Sequence, residues 1–306
     1  MKTKDVLTLE EFQKEDIQAL FKEANALRKN KRAKPLAGKT LGLIFQKPSM
    51  RTRVSFEIGM YQLGGTAIYL GTDDIQLGVR EATKDIAAVV SRYLDGIVAR
   101  TFGHEDVELL AKYATIPVIN GLSDLHHPCQ ALSDLYTIWE KKGDLKGVRL
   151  AYVGDGNNVL HSLLLGAGLV GMHCSVATPR GYEPQGEVVE KAKKLGRSSG
   201  AEIQLSNDPV RVVQGADIVY ADVWTSMGQE KEKAKRLEAF SFFQVSENLM
   251  KKANRGALFM HCLPAHRGEE VTAEVLDGPR SIVFDQAENR LHVQKAVLVR
   301  LLGKKR

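Results

Sequence analysis

The chain has 306 residues, of which 43% are hydrophobic and 26% charged, and its formal net charge is +6. These proportions exclude a disordered or fibrous chain, and the length suits two domains. No stretch approaches the roughly 20 apolar residues of a membrane span, and the basic residues are interleaved with acids rather than clustered, so neither a membrane nor a nucleic-acid partner is expected.

The N-terminus and the cysteines predict the compartment. Met1–Val6 is charged and lacks the apolar core that a signal peptide needs. Cys129, Cys174 and Cys262 make an odd number in a large chain, which argues against a disulfide framework. A cytoplasmic protein with reduced thiols is therefore expected.

The first half of the chain reads as an opening helix followed by four βα repeats. An amphipathic segment at 17–27 predicts the helix. Short apolar runs then alternate with segments of helical period. Strands are predicted at 41–45, 67–70, 96–100 and 117–120.

The second half repeats the pattern after a charged, glycine-containing segment at 139–147, which predicts a helix end and a hinge. Six strands are predicted at 150–153, 175–177, 203–205, 218–221, 257–260 and 282–284, before a closing helix at 288–302. Strands alternating with helices indicate an α/β fold of two doubly wound parallel-sheet domains with a cleft between them. The predicted domains are residues 1–138, joined by the C-terminal helix at about 288–306, and residues 139–287.

Ligands of such sheets bind beyond the carboxyl ends of the strands. After the first strand, Ser49 and Thr52 bring hydroxyls, and Arg51 and Arg53 bring guanidinium groups, to the start of a helix. Free backbone N–H groups at that point make an anion site, although a capped helix with surface arginines is the alternative. Arg100 ends the third strand as a further cation, unless a carboxylate pairs with it at the surface.

A helix begins at Pro128, so His127 and Gln130 are predicted to point into the cleft. Histidine offers a donor near neutral pH, and glutamine offers both a donor and an acceptor. A zinc site at His126, His127 and Cys129 is not favoured because no second ligand pair follows at metal spacing. The same objection applies to the histidines that flank Cys262.

The run Gly154-Asp155-Gly156 follows a strand, as in dinucleotide-binding proteins. Val159 replaces the third glycine of that motif, and the acidic residue expected after the next strand is missing, so a nicotinamide cofactor is not favoured. The side-chain amides of Asn157 and Asn158 suit an amino-acid substrate instead.

Two further strand ends carry reactive side chains. Asp222 is placed to hold an ammonium group, and Cys262 ends the next substantial strand. A lone cysteine in an apolar run is more often a small buried hydrophobe, but the neighbouring His261, His266 and Arg267 favour a site here.

These motifs resemble one family. Ser49-Met50-Arg51-Thr52-Arg53 resembles the carbamoyl phosphate signature of the carbamoyltransferases, and His127-Pro128-Cys129-Gln130 resembles their second signature. Asp222 with Ser226-Met227-Gly228, and His261-Cys262-Leu263-Pro264, resemble the pair of motifs specific for ornithine. The resemblance covers essentially the whole chain.

The resemblance implies the residues of two sites. The carbamoyl phosphate site would be formed by Ser49, Met50, Arg51, Thr52, Gln76, Arg100, His127, Gln130, Cys262, Leu263 and Arg290. The ornithine site would be formed by Asn158, Asp222, Ser226 and Met227. Catalytic roles would fall to Arg100, His127, Cys262 and Arg290. The family usually has threonine at Met50, so a hydroxyl contact to phosphate is lost there while the backbone N–H remains.

The implied reaction is carbamoyl transfer from carbamoyl phosphate to the δ-amine of L-ornithine, which gives L-citrulline and phosphate in arginine metabolism. It requires no metal and no organic cofactor, because carbamoyl phosphate is already activated. We expect Cys262 to hydrogen-bond the amine rather than to form a covalent intermediate. The family also implies a homotrimer or a multiple of trimers. Acetylornithine, putrescine or aspartate as acceptor remains an alternative, as does a non-catalytic paralogue.

Overall fold

The computed structural model describes residues 3–226 and 228–303 and divides into two compact units. The first unit takes the chain up to Tyr136 together with the residues from Glu288 onward, and the second takes Thr137–Ala287. Within the described residues, no helix is both long and apolar enough to cross a membrane.

The first unit contains a parallel sheet with helices between its strands. Its elements are α1 (Lys14–Lys29), β1 (Thr40–Phe45), α2 (Met50–Leu63), β2 (Thr66–Leu70), α3 (Thr83–Val90), β3 (Gly96–Arg100), α4 (His104–Tyr113), β4 (Val118–Leu122) and the first part of α5 (Pro128–Lys142). The strand order is β2-β1-β3-β4, and every pairing is parallel.

The second unit repeats this plan with five strands. Its elements are β5 (Arg149–Val153), α6 (Asn158–Val170), β6 (His173–Ala177), α7 (Gly186–Ser199), β7 (Ile203–Ser206), α8 (Pro209–Val213), β8 (Ile218–Ala221), α9 (Lys233–Ala239), α10 (Glu247–Met250), β9 (Leu258–His261), α11 (Ala273–Leu276) and the start of α12 (Val283–Leu302). Short 3-10 helices occur at Glu230–Glu232 and Ser241–Phe243. The strand order is β7-β6-β5-β8-β9, again all parallel.

The predicted α/β class with two parallel sheets is confirmed. Central strands read as continuous apolar runs because helices cover both faces of such a sheet. All five residues of β3 are buried, and so are all but the first of β5. Nine predicted strands correspond to β1–β9 with ends that differ by at most two residues.

The strand predicted at 282–284 is wrong. Ile282 and Val283 are buried, but Phe284 is 72% exposed, and α12 begins at Val283. A three-residue apolar run carries too little periodicity to distinguish a strand from the first turn of a helix. The closing helix therefore starts five residues before its predicted start at Glu288. By contrast, α5 ends at Lys142, within the segment 139–147 where a helix end was predicted.

Candidate functional site

The loop between β1 and α2 has the geometry of an anion site. Ser49 is the N-cap of α2, and its hydroxyl oxygen accepts a hydrogen bond from the Thr52 N–H at 3.3 Å. The Ser49 hydroxyl also donates to Oγ1 of Thr52 at 3.1 Å. The cap holds the first turn in place, and the remaining N–H groups of that turn are donors for an anion. We name Ser49–Thr52 the anion loop.

Arg53 does not point its charge at this loop, contrary to the prediction that both arginines of the signature do so. Its Nε donates to Glu57 at 2.9 Å, and its guanidinium lies 3.9 Å from the ring centroid of Tyr69. Arg51 is half-buried and close enough to Arg100 to affect its pKa. Of the two arginines of the signature, the structure therefore places Arg51 with the site.

A buried cation from the far end of the chain reaches the anion loop. Arg290 of α12 donates from Nη2 to Oγ1 of Thr52 at 2.9 Å, and both residues are buried. Arg100 at the end of β3 is 7% exposed. Burial, followed by the charges of Arg290 and Arg51, lowers the pKa of Arg100 to about 10. Three neighbouring arginines favour binding of an anion, as expected at a phosphate site.

His127 is the residue before α5 and is 4% exposed. Burial, together with the charges of Arg290, Arg100 and Arg51, lowers the pKa of the His127 ring well below its usual value. The imidazole is therefore neutral at pH 7 and offers one N–H donor and one acceptor.

Gln130 is 1% exposed, and its Nε2 donates to Asp134 at 2.9 Å. Its carbonyl oxygen Oε1 is buried and has no hydrogen-bond partner among the described residues. A buried unpaired acceptor costs about 1–3 kcal/mol, so a donor from a ligand would stabilise it. The –NH₂ of a carbamoyl group is such a donor.

Lys47 and Gln76 lie in the loops that follow β1 and β2. Lys47 was not among the predicted site residues. Burial lowers the pKa of its ammonium group, and the nearby charge of Arg100 lowers it further. Its Nζ also lies 4.8 Å from the Phe102 ring centroid. Gln76 is exposed in the loop after β2, and no described contact joins it to the anion loop.

In the second unit, three donors meet at the carboxylate of Asp222. Nδ2 of Asn157 donates to Oδ2 at 2.7 Å, and the Val223 N–H donates to Oδ1 at 2.8 Å. The Cys262 thiol donates to Oδ1 at 2.9 Å. Asp222 is 4% exposed. The predicted pair at the ends of β8 and β9 is therefore in direct contact.

Asn157 and Asn158 have different positions at the start of α6. Asn157 caps α6, with Oδ1 accepting from the Val159 and Leu160 N–H groups, so both ends of its amide are used within the protein. Asn158 is the first residue of α6 and half-buried. Ser226 is half-buried, and its N–H donates to Oε1 of Gln229 at 3.1 Å. Met227 lies outside the described residues.

Buried side chains behind Cys262 fix the turn that follows it. Leu263 has φ +58°, an uncommon value for a residue with a side chain, and its N–H donates to Nδ1 of His261 at 2.9 Å. Nε2 of the same ring lies 3.2 Å from Oε1 of Glu270, and both residues are fully buried. Burial raises the pKa of Glu270, but the His261 ring and the His266 N–H outweigh it, so the pKa is lowered.

A buried ion pair supports the loop after Asp222. Nη1 of Arg236 donates to Oδ2 of Asp155 at 3.0 Å and to the Trp224 carbonyl at 2.9 Å. Burial raises the pKa of Asp155 to about 6 in spite of Arg236. Neither Glu270 nor Arg236 was singled out from the sequence. Arg236 pairs with Asp155, 81 residues away, and the pairing of Glu270 with His261 matches no local motif.

Asp222, His261 and Cys262 bring three possible metal-ligand atoms within 4.8 Å of one another. Both ring nitrogens of His261 already face other partners, the Leu263 N–H and the Glu270 carboxylate. The thiol proton of Cys262 is directed at Asp222. This donor set is arranged as a hydrogen-bond network, which does not fit a metal ion.

Comparison with known proteins identifies the family. Two sequence profiles match the chain: the carbamoyl-P binding domain of aspartate/ornithine carbamoyltransferase at residues 4–140, and the Asp/Orn binding domain of the same family at residues 146–301. The chain therefore belongs to the aspartate/ornithine carbamoyltransferase family and is a carbamoyltransferase enzyme. The resemblance predicted from the signatures is confirmed.

Within that family, similar full-length proteins carry the name ornithine carbamoyltransferase. The protein of that name from Anoxybacillus flavithermus is 56% identical over 306 residues, covering 99% of this chain and 98% of its own. The one from Thermococcus kodakarensis is 55% identical over 304 residues, covering 98% and 96%. The solved structure of the Pyrococcus furiosus enzyme is 53% identical, with a TM-score of 0.96 over 99% of this chain and 98% of that chain.

Proposed function

We propose that this enzyme transfers the carbamoyl group of carbamoyl phosphate to the δ-amine of L-ornithine, giving L-citrulline and phosphate. The observation that carries the proposal is the hydrogen bond from Arg290 to Thr52. It brings a cation from the C-terminal helix to an anion loop that already has Arg51 and Arg100 beside it.

The first unit binds carbamoyl phosphate in this proposal. The anion loop, from Ser49 to Thr52, holds the phosphate with its backbone N–H groups and hydroxyls. Arg51 and Arg100 match the phosphate oxygens with their planar donor forks. The buried oxygen of Gln130 accepts from the carbamoyl –NH₂. Gln76, Leu263 and the backbone at Cys262 are further carbamoyl phosphate contacts that rest on the family resemblance.

The second unit binds ornithine. Asp222 carries a buried carboxylate and accepts the α-ammonium group. Asn158, Ser226 and Met227 bind the remaining polar ends of the amino acid. A carbamoyl acceptor without an α-ammonium group gives the Asp222 carboxylate no cationic partner. Ornithine is therefore favoured over acetylornithine.

In the reaction, the lone pair of the neutral δ-amine attacks the carbamoyl carbon, and the carbonyl oxygen becomes negative in a tetrahedral intermediate. Arg100, Arg290 and the neutral His127 ring stabilise that oxygen, an effect of about 3–4 kcal/mol for a good donor. The bond from carbon to the phosphate oxygen then breaks. The leaving phosphate gains charge as it departs and takes up the proton that the amine loses.

Cys262→Ala is expected to reduce kcat about tenfold or more, because it removes the thiol that we propose hydrogen-bonds the δ-amine and that is oriented by its 2.9 Å hydrogen bond to Asp222. In our account the thiol hydrogen-bonds and never attacks, so mass spectrometry of the quenched enzyme shows no added carbamoyl group. A variant with unchanged kcat contradicts the role of Cys262, and a trapped carbamoyl-thioester contradicts the non-covalent mechanism. Cys174→Ala, at a buried thiol in β6, is the matched control.

The pH profile tests the proposed nucleophile. An alkyl amine of pKa about 10.4 is almost fully protonated at pH 7, so kcat/KM for ornithine is expected to rise about tenfold per pH unit from 6.5 to 8.5. Titration of His127 does not change the slope of kcat/KM in this pH range, because the lowered pKa of its ring keeps it neutral throughout. Arg100, with a pKa of about 10, stays charged until the profile turns over at higher pH. A flat profile measured by citrulline formation contradicts attack by the free amine.

We also propose that the enzyme is a homotrimer, or a multiple of trimers, in the cytoplasm. One face of α2 supports self-association: Met50, Val54, Ile58 and Tyr61 recur at helical spacing and are 69%, 47%, 41% and 74% exposed. An apolar stripe of this kind on a globular unit marks an interaction surface. The odd number of cysteines supports a reducing compartment.

The double variant Val54→Lys, Ile58→Lys is expected to dissociate the assembly, because burying two charges on an apolar face costs several kcal/mol. Light scattering after size exclusion should give about three times 33.8 kDa, or a multiple of that value, for the wild type and a lower mass for the variant. Val210→Lys, at a 47% exposed position of α8, should leave the mass unchanged. A wild-type monomer refutes the proposed assembly.

A further inference from the structure

A second basic pocket lies within the first unit. The cavity has a volume of about 230 Å³ and is formed by the end of α1, the loop after it, the end of α2 and the middle of α12. Its polar lining includes Arg28, Lys31, Gln62, His292 and Lys295. The anion loop begins α2, whereas Gln62 is near the last turn of that helix. At 1.5 Å rise per residue, the two places are about 20 Å apart.

The charge around this pocket is strongly positive. Five of the seven residues from Arg28 to Lys34 are lysine or arginine, and none is acidic. Two of them, Arg28 and Lys31, line the pocket, and Lys34 is near enough to affect Lys295. Among the ion pairs of the described residues, the Glu288 carboxylate contacts Arg28 and His292, and each of the two helix C-termini adds about half a negative charge. Four cations therefore exceed about two negative charges.

Lys295 is the unusual member of the group because it is only 4% exposed and lies in the interior of α12. Its stem packs over Gly59 of α2, where an added Cβ would lie 3.4 Å from Cγ of Lys295. Nζ donates to Oε1 of Gln62 at 2.9 Å, and no carboxylate pairs with it among the described residues. Burial lowers the pKa of this ammonium, and Lys31 and Lys34 lower it further.

A buried ammonium with one neutral hydrogen bond is costly to hold, and it is stabilised when an anion supplies the missing charge. Helix capping accounts for Lys34, whose Nζ donates to the Gln62 carbonyl at 2.8 Å, but not for Lys295. The cavity is smaller than the 300–1,000 Å³ typical of pockets for larger organic ligands. A small, multiply charged oxyanion fits both its size and its charge.

We propose that this pocket is a second anion site, which binds inorganic phosphate or a similarly small phosphate-class anion between Lys295 and Lys31. The site is separate from the anion loop and is not needed for the proposed reaction. Lys295 supplies the buried charge-assisted hydrogen bond, and the exposed Lys31 and Arg28 cover the anion from the solvent side.

Calorimetric titration of the intact enzyme with sodium phosphate at constant ionic strength tests the proposal. The wild type should bind two phosphates per chain, one at each place. Arg51→Ala should retain the pocket site alone, and Lys295→Met, which keeps the stem over Gly59, should retain the anion loop alone. The second-site dissociation constant should rise about 10- to 100-fold in Lys295→Met.

Further variants keep the test decisive if Lys295→Met folds poorly. Lys31→Ala changes an exposed residue and should weaken the second site about two- to fivefold. Lys112→Ala, an exposed lysine of α4 outside the pocket, should leave both sites unchanged. One phosphate per chain in the wild type, or a second site whose dissociation constant is unchanged in both Lys295→Met and Lys31→Ala, overturns the proposal. Binding of a single-stranded oligonucleotide, with no binding of free phosphate to Arg51→Ala, would overturn it in favour of a nucleic-acid surface.

Discussion

Replacing Arg100 with methionine is expected to lower kcat for citrulline formation by about 10²- to 10³-fold. Arg100 is 7% exposed at the end of β3, beside Arg51 and Arg290. Methionine keeps much of the side-chain volume but removes the charge. The variant therefore loses the stabilisation that the guanidinium group gives to the developing oxyanion and to the phosphate. A donor aimed at an oxyanion accounts for a rate factor of this size. Steady-state kinetics with both substrates measures it.

The matched control is Arg300→Met. Arg300 belongs to the same unit and pairs with Glu23 at 3.2 Å, away from the anion loop. It should retain kcat within about twofold, since a partly exposed ion pair is worth only about 1 kcal/mol to stability and nothing to the reaction. If Arg100→Met and Arg300→Met have equal kcat values while both remain folded by circular dichroism, Arg100 has no catalytic role.

Asp222→Asn is expected to raise KM for ornithine about 10- to 100-fold with little change in KM for carbamoyl phosphate. The substitution removes the charge that we assign to the α-ammonium group, a charge-assisted hydrogen bond worth about 1.5–3 kcal/mol. It also places an amide where three donors, from Asn157, Val223 and Cys262, now converge. Initial rates with each substrate varied in turn separate the two KM values.

Asp208→Asn controls for the loss of a carboxylate in the same unit. Asp208 caps α8 by accepting from the Val210 and Arg211 N–H groups, and asparagine caps a helix about as well. Its kinetics should match the wild type. An Asp222→Asn enzyme with an unchanged KM for ornithine, or one whose KM for carbamoyl phosphate rises instead, contradicts the assignment of Asp222.

The sequence predicted the parts of the fold that follow from local patterning. The buried strand β8 is a continuous apolar run and β3 is apolar up to its last residue, Arg100, and the predicted ends of both match the structure to the residue. The run at 282–284 misled because three apolar residues are also compatible with a helix start. The hydrogen bond that the His261 N–H donates to the Gln286 side chain in α12 joins residues 25 apart in sequence, and no local pattern shows it.

The site shows the same division. Motif residues close in sequence were found, including Ser49 at its helix cap and Asp222 at its strand end. The buried residues that support the loops after β8 and β9 were missed. Glu270 is fully buried behind His261, and Arg236 reaches back 81 residues to Asp155. The signature also suggested two arginines at the anion loop, but Arg53 is held by Glu57 and Tyr69, a competition that only the folded chain reveals.

The most direct test of the central claim is turnover of carbamoyl phosphate with ornithine, acetylornithine, putrescine and aspartate supplied separately, at pH 7 and pH 8.5, with phosphate and ureido product both measured. Our account predicts equal amounts of phosphate and citrulline with ornithine alone, formed faster at the higher pH. Faster turnover with another amine would contradict the acceptor assignment at Asp222. No turnover with any of the four would contradict catalysis itself.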